Sequence, residues 1–239
     1  MFATLLEERK GHQLNQLKFN IDAVLFDLDG TLLDAIGIYF QIIDTVFARL
    51  NLVMPPIETI REAAKTGEFD WGLVFPTEKK KEIDDLLKQT HQITAQIYPK
   101  LLGGNLKLIP SAKETLEIIL QKGIKVGVVT STPRQNLALK MPALVNAGIK
   151  NLLEVIIAAD DAPRKKPAPD PLLMGSRKLD ISPAQCMYVG DSRTDIQAGK
   201  AAGMLTVGVL TGIDDLAALE REEPNAVIDS IAALKDMLI

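Results

Sequence analysis

Residues 21–34 read IDAVLFDLDGTLLD, and this stretch decides the fold. The apolar run at 23–26 ends abruptly in DLDGT at 27–31. A short apolar run before a glycine-containing turn is typical of a buried strand that runs into a loop. Asp27 and Asp29 are therefore expected just past a strand end, where ligands bind in open parallel α/β sheets. Two such close carboxylates repel each other unless a cation or a shared proton offsets their charge. The alternative is a glycine turn whose aspartates only cap the chain.

Composition bounds the class of protein. The chain has 239 residues, of which 47% are hydrophobic and 24% charged, which suits one large or two modest domains. The net charge of -4 gives no general attraction to nucleic acid or to an anionic membrane, and we expect neither as a partner. No apolar stretch reaches the about 18 residues of a membrane span. A single cysteine, Cys186, excludes an intrachain disulfide and fits a cytoplasmic protein. The apolar neighbours of Cys186 predict that its thiol is buried.

The first hundred residues divide into a terminal segment and a helical region. Residues 1–20 are polar with scattered leucines and carry no apolar core of a secretory signal. We expect a peripheral segment there, either a short helix or an extended terminus. Residues 35–104 show helical spacing, as in Ile38, Ile42 and Val46. This spacing predicts an all-helical insertion after the first strand, which is a second, smaller domain by its size.

The remainder of the chain alternates between apolar strands and amphipathic helices, which predicts a parallel sheet. The predicted strands after the first are 124–129, 153–159, 187–189, 205–209 and 226–228. The fold class is therefore α/β, a Rossmann-like, doubly wound and mostly parallel sheet. Residues 21–34 and 105–239 form its core.

Three local signals refine the helices. Asp34 is predicted as the N-cap of the first helix of the insertion. Ser111 is predicted as an N-cap that forms a capping box with Glu114. Pro142 is expected to break the helix that follows the strand at 124–129.

Three further polar segments follow predicted strands. Right-handed crossovers bring the carboxyl ends of these strands to one sheet edge, so the segments can converge with Asp27. Thr130 and Ser131 offer hydroxyls and amides at the start of a helix, which suits either a phosphate cradle or plain N-capping. Asp191 and Asp195 stand four apart and can share a face at a helix start. They also suit acids that complement the helix dipole.

Lys166 lies in a proline-rich loop, RKKPAPDP at 164–171. Prolines restrict the backbone and hold a neighbouring side chain in place. An ammonium group aimed at a pocket of carboxylates and phosphate would offset their repulsion. Arg164 and Lys165 are interpreted as a solvated basic face.

Together these segments resemble the four motifs of the haloacid dehalogenase superfamily in its phosphatase form. DLDGT at 27–31 resembles motif I, Thr130 motif II, KPAP at 166–169 motif III, and GDSRTD at 190–195 motif IV. The helical insertion after motif I resembles the cap of the phosphoglycolate phosphatase-like subgroup. The match extends over about nine tenths of the chain at the level of the fold.

The resemblance implies a role for each motif residue. Asp27 would be the nucleophile and Asp29 the general acid and base. The substrate phosphate would be bound by the side chains or backbone of Leu28, Gly30, Thr130, Ser131 and Lys166. Mg²⁺ suits hard carboxylate oxygens beside phosphate. Its expected ligands are the carboxylates of Asp27 and Asp191 and the backbone carbonyl of Asp29, while Asp195 acts through water or orients Lys166.

The predicted function is Mg²⁺-dependent hydrolysis of a small phosphorylated metabolite, such as phosphoglycolate or a sugar phosphate, through an aspartyl-phosphate. A β-phosphoglucomutase-like phosphoryl transferase and a pyrophosphatase are alternatives on the same motifs. A non-catalytic phosphometabolite-binding protein is a third, although a pure binder would not require Asp29. A dehalogenase of this superfamily normally lacks the second aspartate of motif I, so Asp29 argues against that activity. A phosphonatase would need a cap lysine that forms a Schiff base. The expected assembly is a monomer or a homodimer.

Overall fold

The computed structural model describes residues 17–64, 69–103 and 106–239. Its described residues form one six-stranded sheet in which every pair of neighbouring strands is parallel. The strands are β1 (Ala23–Phe26), β2 (Lys125–Val129), β3 (Val155–Ile157), β4 (Cys186–Gly190), β5 (Leu205–Val209) and β6 (Ala226–Ile228). Their order across the sheet is β3-β2-β1-β4-β5-β6. The predicted Rossmann-like α/β fold is confirmed.

The helices form two groups along the chain. Between β1 and β2, the cap contributes α1 (Ile36–Arg49), α2 (Ile57–Ala63), α3 (Trp71–Val74) and α4 (Ile83–Leu102). The core contributes α5 (Ala112–Gln121), α6 (Arg134–Asn146), α7 (Asp170–Leu179), α8 (Arg193–Ala201), α9 (Leu216–Glu220) and α10 (Leu234–Met237). Short 3-10 turns cover Thr77–Glu82, Lys150–Leu152, Pro183–Gln185 and Ile231–Ala233. The helical character of the cap agrees with its sequence periodicity, and the exact boundaries at 35 and 104 remain a prediction.

Strand β1 lies in the middle of the sheet and is buried along its whole length. Phe26 pairs with Val128 of β2 on one side and with Val189 of β4 on the other. The next residue, Asp27, leaves the strand, and its amide still donates to the carbonyl of Val189 at 2.8 Å. The strand order reverses between β1 and β4, so the crevice for a ligand opens at the carboxyl ends of these two strands.

Of the three local helix signals, the N-cap position of Ser111 is confirmed without its capping box, and the other two are wrong. Ala35, and not Asp34, occupies the N-cap position of helix α1. The Asp34 amide instead donates to the carbonyl of Lys107 at 2.9 Å. Ser111 has a φ of 65°, and its side chain makes no capping hydrogen bond with α5. Helix α6 continues through Pro142, since Leu137 and Leu144 on either side are buried in the core.

Several peripheral predictions also have an outcome. Most of the 1–20 segment lies outside the described residues, although Phe19 forms a parallel bridge with Leu238. Cys186 is buried in β4, as predicted, and burial raises the pKa of its thiol to about 11. Among the described helices, none combines the length and the apolar character that a membrane crossing requires.

Candidate active site

Lys166 is the centre of a buried polar cluster at the carboxyl edge of the sheet. Its ammonium donates to Asp27 Oδ1 at 2.7 Å and to Asp195 Oδ1 at 2.6 Å. It also donates to the phenol oxygen of Tyr188 at 2.8 Å, and that phenol donates onward to the carbonyl of Val129. All four polar residues are at most 6% exposed. One buried cation thus joins the loop after β3 to the ends of β1 and β4.

The side chain of Asp195 is fixed by its own helix start. Ser192 caps α8, and its hydroxyl donates to Asp195 Oδ2 at 2.6 Å while its amide donates to the same oxygen at 3.1 Å. The other oxygen of Asp195 is left for Lys166. The capping box thus aims Asp195 at the lysine, which agrees with the orienting role offered by the sequence.

Asp191 completes a group of three carboxylates. One oxygen each of Asp27, Asp191 and Asp195 can be chosen so that all lie within 4.8 Å of one another. Burial raises the pKa of Asp27 to about 7; Lys166 opposes this shift, and Asp195 and Asp29 add to it. Burial and the charges of Asp195 and Asp27 likewise raise the pKa of Asp191 well above its ordinary value. Burial alone would lower the pKa of Lys166, but Asp195 and Asp27 outweigh it and hold the pKa well above its ordinary value.

The loop after β5 holds the side chain of Asp191 in position. The amide of Ile213 donates to Asp191 Oδ2 at 2.8 Å. A Cβ atom at Gly212 would lie 1.8 Å from that oxygen, so only glycine fits there. Gly30, with a φ of +80°, is similarly close, since its Cβ would lie 2.6 Å from Asp191 Oδ2. Thr31 donates to the other oxygen of Asp191 at 3.3 Å.

The residues present fit a hard divalent cation. Three buried carboxylates share one buried ammonium, so ionisation of all three leaves net negative charge in a site of low dielectric. Burial is the main cause of the raised pKa values of Asp27 and Asp191, and the neighbouring carboxylates add to it. A divalent cation with oxygen ligands would offset it. The predicted metal residues Asp27, Asp191 and Asp195 lie together here, whereas the carboxylate of Asp29 points elsewhere.

Asp29 lies in a second polar cluster, between the core and the cap. Its Oδ2 accepts a hydrogen bond from Thr132 Oγ1 at 2.8 Å and forms a salt bridge with Lys140 of α6. Lys140 is fully buried and also donates to Tyr39 of α1 at 2.8 Å and to Thr132 at 2.9 Å. Oδ1 of Asp29 is buried and has no hydrogen-bond partner within the part of the chain that the structure describes.

The predicted phosphate-binding residues lie around the mouth of β1 and β2. Thr130 is buried, and its Oγ1 accepts from the amide of Thr132 at 3.0 Å. Ser131 is half-buried in the same loop, and Leu28 is fully buried beside Asp27. The amide of Gly30 donates to the carbonyl of Leu33 at 2.8 Å, so in this conformation the chain itself uses that donor.

Sequence reasoning missed Lys140, Tyr188 and Thr132. Lys140 stands three residues after Leu137 and four before Leu144, on the buried stripe of α6. A lysine on an apolar stripe is a usable signal, because a buried ammonium requires an acidic partner. Tyr188 carries a similar signal, as the one residue with a hydroxyl in the apolar run CMYVG.

The cap also contacts the core at the opposite side of the crevice. Arg61 of α2 donates to the carbonyl of Ile213 at 3.2 Å and pairs with Asp215 at 2.9 Å. Ile213 in turn holds Asp191 through its amide. The same loop therefore meets the carboxylate cluster below and the cap above.

A parallel α/β core, a cap inserted after β1 and an aspartate-lysine cluster at the sheet edge define a class of hydrolases. The family model of the haloacid dehalogenase-like hydrolases matches residues 24–209. The chain belongs to this family, in the subgroup that resembles phosphoglycolate phosphatase.

Individual relatives support this assignment. The phosphoglycolate phosphatase of Escherichia coli (strain K12) is 34% identical over 158 residues, which cover 64% of this chain and 62% of that protein. The chain thus spans less than two thirds of the length of that relative. The phosphoglycolate phosphatase of Pectobacterium atrosepticum is 33% identical over 168 residues, or 70% and 68% of the two chains. The crystal structure of a predicted phosphoglycolate phosphatase from Haemophilus somnus 129pt has a TM-score of 0.77 at 25% identity and covers 90% and 97%.

Proposed function

We propose that this chain is a Mg²⁺-dependent phosphatase that hydrolyses a small phosphorylated metabolite through an aspartyl-phosphate on Asp27. One observation carries the proposal: two neighbouring carboxylates on the loop after β1 are held by two different buried lysines. Asp27 is bonded to Lys166 within the carboxylate cluster, whereas Asp29 is bonded to Lys140 and keeps one buried oxygen without a partner in the described chain. Such a difference between two carboxylates is how acid-base and nucleophilic roles separate within one site.

Asp27 acts in the first step as the nucleophile. One of its carboxylate oxygens forms a bond to phosphorus while the bond from phosphorus to the ester oxygen breaks. Lys166 and Thr130 stabilise charge on the phosphoryl oxygens, and the backbone around Leu28 and Ser131 completes the cradle. Lys166 also favours the ionised form of Asp27, because it opposes the effect of burial, which raises the pKa of that group.

Asp29 handles the proton in both steps. It gives a proton to the departing alkoxide and later takes one from the water that attacks the aspartyl-phosphate. The second attack breaks the bond between phosphorus and the Asp27 oxygen, so inorganic phosphate leaves and both carboxylates return to their initial state. Its Oδ1 suits this exchange, since that oxygen has no hydrogen-bond partner among the described residues.

Mg²⁺ would be held by the carboxylates of Asp27 and Asp191 and by the backbone carbonyl of Asp29. Asp195 contributes to the same acidic group and orients Lys166. When bound, the cation supplies charge neutralisation of the phosphoryl oxygens and of the carboxylates around them. The excess of three buried carboxylates over one buried ammonium supports a divalent cation as the cofactor.

A small substrate is proposed because the cap covers the crevice on two sides. Tyr39 of α1 contacts Lys140 near Asp29, and Arg61 of α2 contacts the loop that holds Asp191. A covering cap excludes water and bulky substrates from the reacting group. The relatives' names make phosphoglycolate a first candidate, and sugar phosphates follow. We propose 35–104 as the cap domain, with 21–34 and 105–239 as the catalytic core.

Phosphate release over a panel of small phosphorylated metabolites, with and without Mg²⁺, tests the proposal. The panel includes phosphoglycolate, sugar phosphates, nucleotides and pyrophosphate. We expect Mg²⁺-dependent release that Asp27→Asn lowers by about ten-thousandfold, as for other covalent nucleophiles. Asp44→Asn, an exposed aspartate of α1, is the matched control and is expected to keep full activity.

The outcomes separate the alternatives. Near wild-type turnover in Asp27→Asn would contradict the nucleophile assignment. Binding of a metabolite without phosphate release from any member of the panel would favour a non-catalytic binding protein. Isomerised sugar phosphate without free phosphate would favour a phosphoryl transferase.

A further inference from the structure

Lys140 is a buried ammonium that belongs to none of the four motifs. It lies on α6 with none of its surface exposed, between Leu137 and Leu144 of the buried stripe. Burying a lysine side chain without a partner is costly, so the position requires a compensating anion. Asp29 is that anion, since its Oδ2 forms the salt bridge with Lys140.

The hydrogen bonds of Lys140 indicate that it does not bind substrate. An ammonium group has three N–H donors. They have three partners in the structure: Asp29 Oδ2, Tyr39 Oη and Thr132 Oγ1. Because these partners saturate the group and no surface of it is exposed, substrate has no donor left to meet.

The same bonds fix the orientation of the Asp29 carboxylate. Lys140 and Thr132 both bond to Oδ2, one from α6 and the other from the loop after β2. Two donors from different elements on one oxygen hold the carboxylate plane against rotation. The other oxygen, Oδ1, is buried and unpartnered within the described residues. The carboxylate thus has one anchored oxygen and one oxygen whose hydrogen-bonding capacity the described residues do not use.

We propose that Lys140 is a positioning residue that holds Asp29 by Oδ2 and thereby presents Oδ1 to the leaving group. The inference rests on the proposed phosphatase function and adds to it a residue outside the recognised motifs. General acid-base catalysis depends on the donor lying within hydrogen-bond reach of the proton's destination. Loss of the anchor would let Asp29 rotate about its side-chain bonds, and the proton transfer would lose its geometry.

The cap takes part in this positioning through its first and last helices. Tyr39 of α1 accepts a hydrogen bond from Lys140, whose ammonium lies 5.5 Å from the centre of the Tyr39 ring. Tyr98 of α4 lies near enough to Tyr39 and Lys140 for their interactions to affect its pKa. Both helices join the cap to the core, so the cap position and the anchor of Asp29 share one contact.

The leaving group provides a selective test. An alkyl phosphate needs a proton on its departing oxygen, whereas an aryl phosphate with a stable phenolate does not. The value of kcat/KM reports the steps up to release of the alcohol. We expect Lys140→Met to lower kcat/KM for an alkyl phosphate substrate of the wild-type enzyme by about a hundredfold. The value for p-nitrophenyl phosphate is expected to fall less than about tenfold, with kcat rather than KM carrying the loss for the alkyl ester.

Three comparisons guard the result. Lys125→Met removes a half-buried ammonium whose hydrogen bond within the described residues is to the backbone carbonyl of Leu179, and both substrates should keep their wild-type values. In an Asp29→Asn background, Lys140→Met should add little further loss, because the two residues act as a unit. Should Lys140→Met fail to fold, Thr132→Val removes the other donor on Asp29 Oδ2 and must show the same selectivity for the alkyl ester.

An equal loss for both esters, or no loss for either, would overturn the role of Lys140. Full additivity with Asp29→Asn would overturn it as well. These failures differ from failure of the proposed function, in which the wild-type protein itself would release no phosphate from either ester, and the inference would fall with it.

Discussion

Asp27 and Asp29 stand two residues apart on one loop, and each contacts a buried lysine, yet the two pairs are built differently. Lys166 comes from a proline-rich loop of the core and also contacts Asp195 and Tyr188. Lys140 comes from the middle of α6 and contacts Tyr39 of the cap. The first pair lies entirely within the core, and the second lies where core and cap meet.

The difference separates two tasks. A nucleophile has to stay in line with phosphorus throughout the reaction, and a rigid, fully core-built setting serves that. An acid-base residue acts on substrate that the cap encloses, so its contact with the cap can link proton transfer to cap closure. The pair of Asp27 and Lys166 is therefore a rigid part of the core, whereas the pair of Asp29 and Lys140 links the core to the cap.

Loss of Lys166 should have the largest effect of the changes that probe this contrast. Lys166→Met removes a cation from two buried carboxylates, Asp27 and Asp195. We expect kcat/KM to fall by about 10²–10³ for aryl and alkyl phosphates alike, and the free energy of unfolding to fall by about 3–5 kcal/mol. Steady-state kinetics and urea unfolding measure the two effects. A loss confined to alkyl esters would erase the distinction between the two lysines.

A substitution of Gly212 should test how the carboxylate of Asp191 is held, with a smaller effect than the loss of Lys166. The added Cβ in Gly212→Ala would lie 1.8 Å from Asp191 Oδ2, so the loop or the carboxylate must shift. We expect the affinity for Mg²⁺ to fall by about 10–100-fold, as for other substitutions of residues that position a metal ligand. Calorimetric titration with Mg²⁺ measures this.

Gly37→Ala is the matched control for that glycine. A Cβ at Gly37 meets no atom within 4 Å, and this exposed position lies inside α1. It should leave the affinity for Mg²⁺ unchanged and stabilise the helix slightly. Unaltered affinity in both variants would show that the loop after β5 does not position Asp191.

The pH dependence of stability should show the smallest effect, and the carboxylates around Asp27 should contribute to it. The pKa of Asp27 is about 7 and that of Asp191 is raised well above its ordinary value. Without metal, the folded protein keeps protons that the unfolded chain releases from about pH 4 upward, so stability falls as pH rises from about 4 to 7. Mg²⁺ competes with these protons, so its stabilising effect should grow over the same range.

Thermal unfolding with and without Mg²⁺ at about pH 5 and about pH 8 measures this dependence. We expect the larger shift in Tm at the higher pH. Asp191→Asn should remove most of the difference. A shift that is equal at both pH values would mean that the carboxylates of the cluster do not give up protons to the metal.

The contrast between the two pairs also explains what the sequence could predict. Asp27, Lys166, Asp191 and Asp195 each follow a strand, and parallel strands bring their carboxyl ends to one edge, so their meeting follows from local patterns and topology. The packing of α6 against Asp29 does not follow from topology, because it depends on the rotation of a helix about its axis. Lys140 was therefore missed, although its place on an apolar stripe was visible.

The helix ends show a second limit. Asp34 and Ser111 have the residue types of N-caps, but neither side chain makes a capping hydrogen bond. The Asp34 amide pairs with the carbonyl of Lys107, and Ser111 takes the N-cap position in a left-handed conformation with a φ of 65°. Local propensities are small compared with the contacts that the folded chain can form across the sequence. The parallel sheet and the helical insertion after the first strand, by contrast, rest on long apolar patterns and agree with the structure.

A trapped phosphoenzyme tests the central claim most directly. In Asp29→Asn, an aryl phosphate can still phosphorylate Asp27, because its leaving group needs no proton, but water cannot be activated to remove the phosphoryl group. We predict that acid quenching of this variant with p-nitrophenyl phosphate and Mg²⁺ yields one phosphoryl group per chain, located by peptide mass spectrometry on Asp27. The double variant with Asp27→Asn should yield none. A phosphoryl group on another residue, or no phosphoenzyme in a variant that still releases p-nitrophenol, would contradict the account.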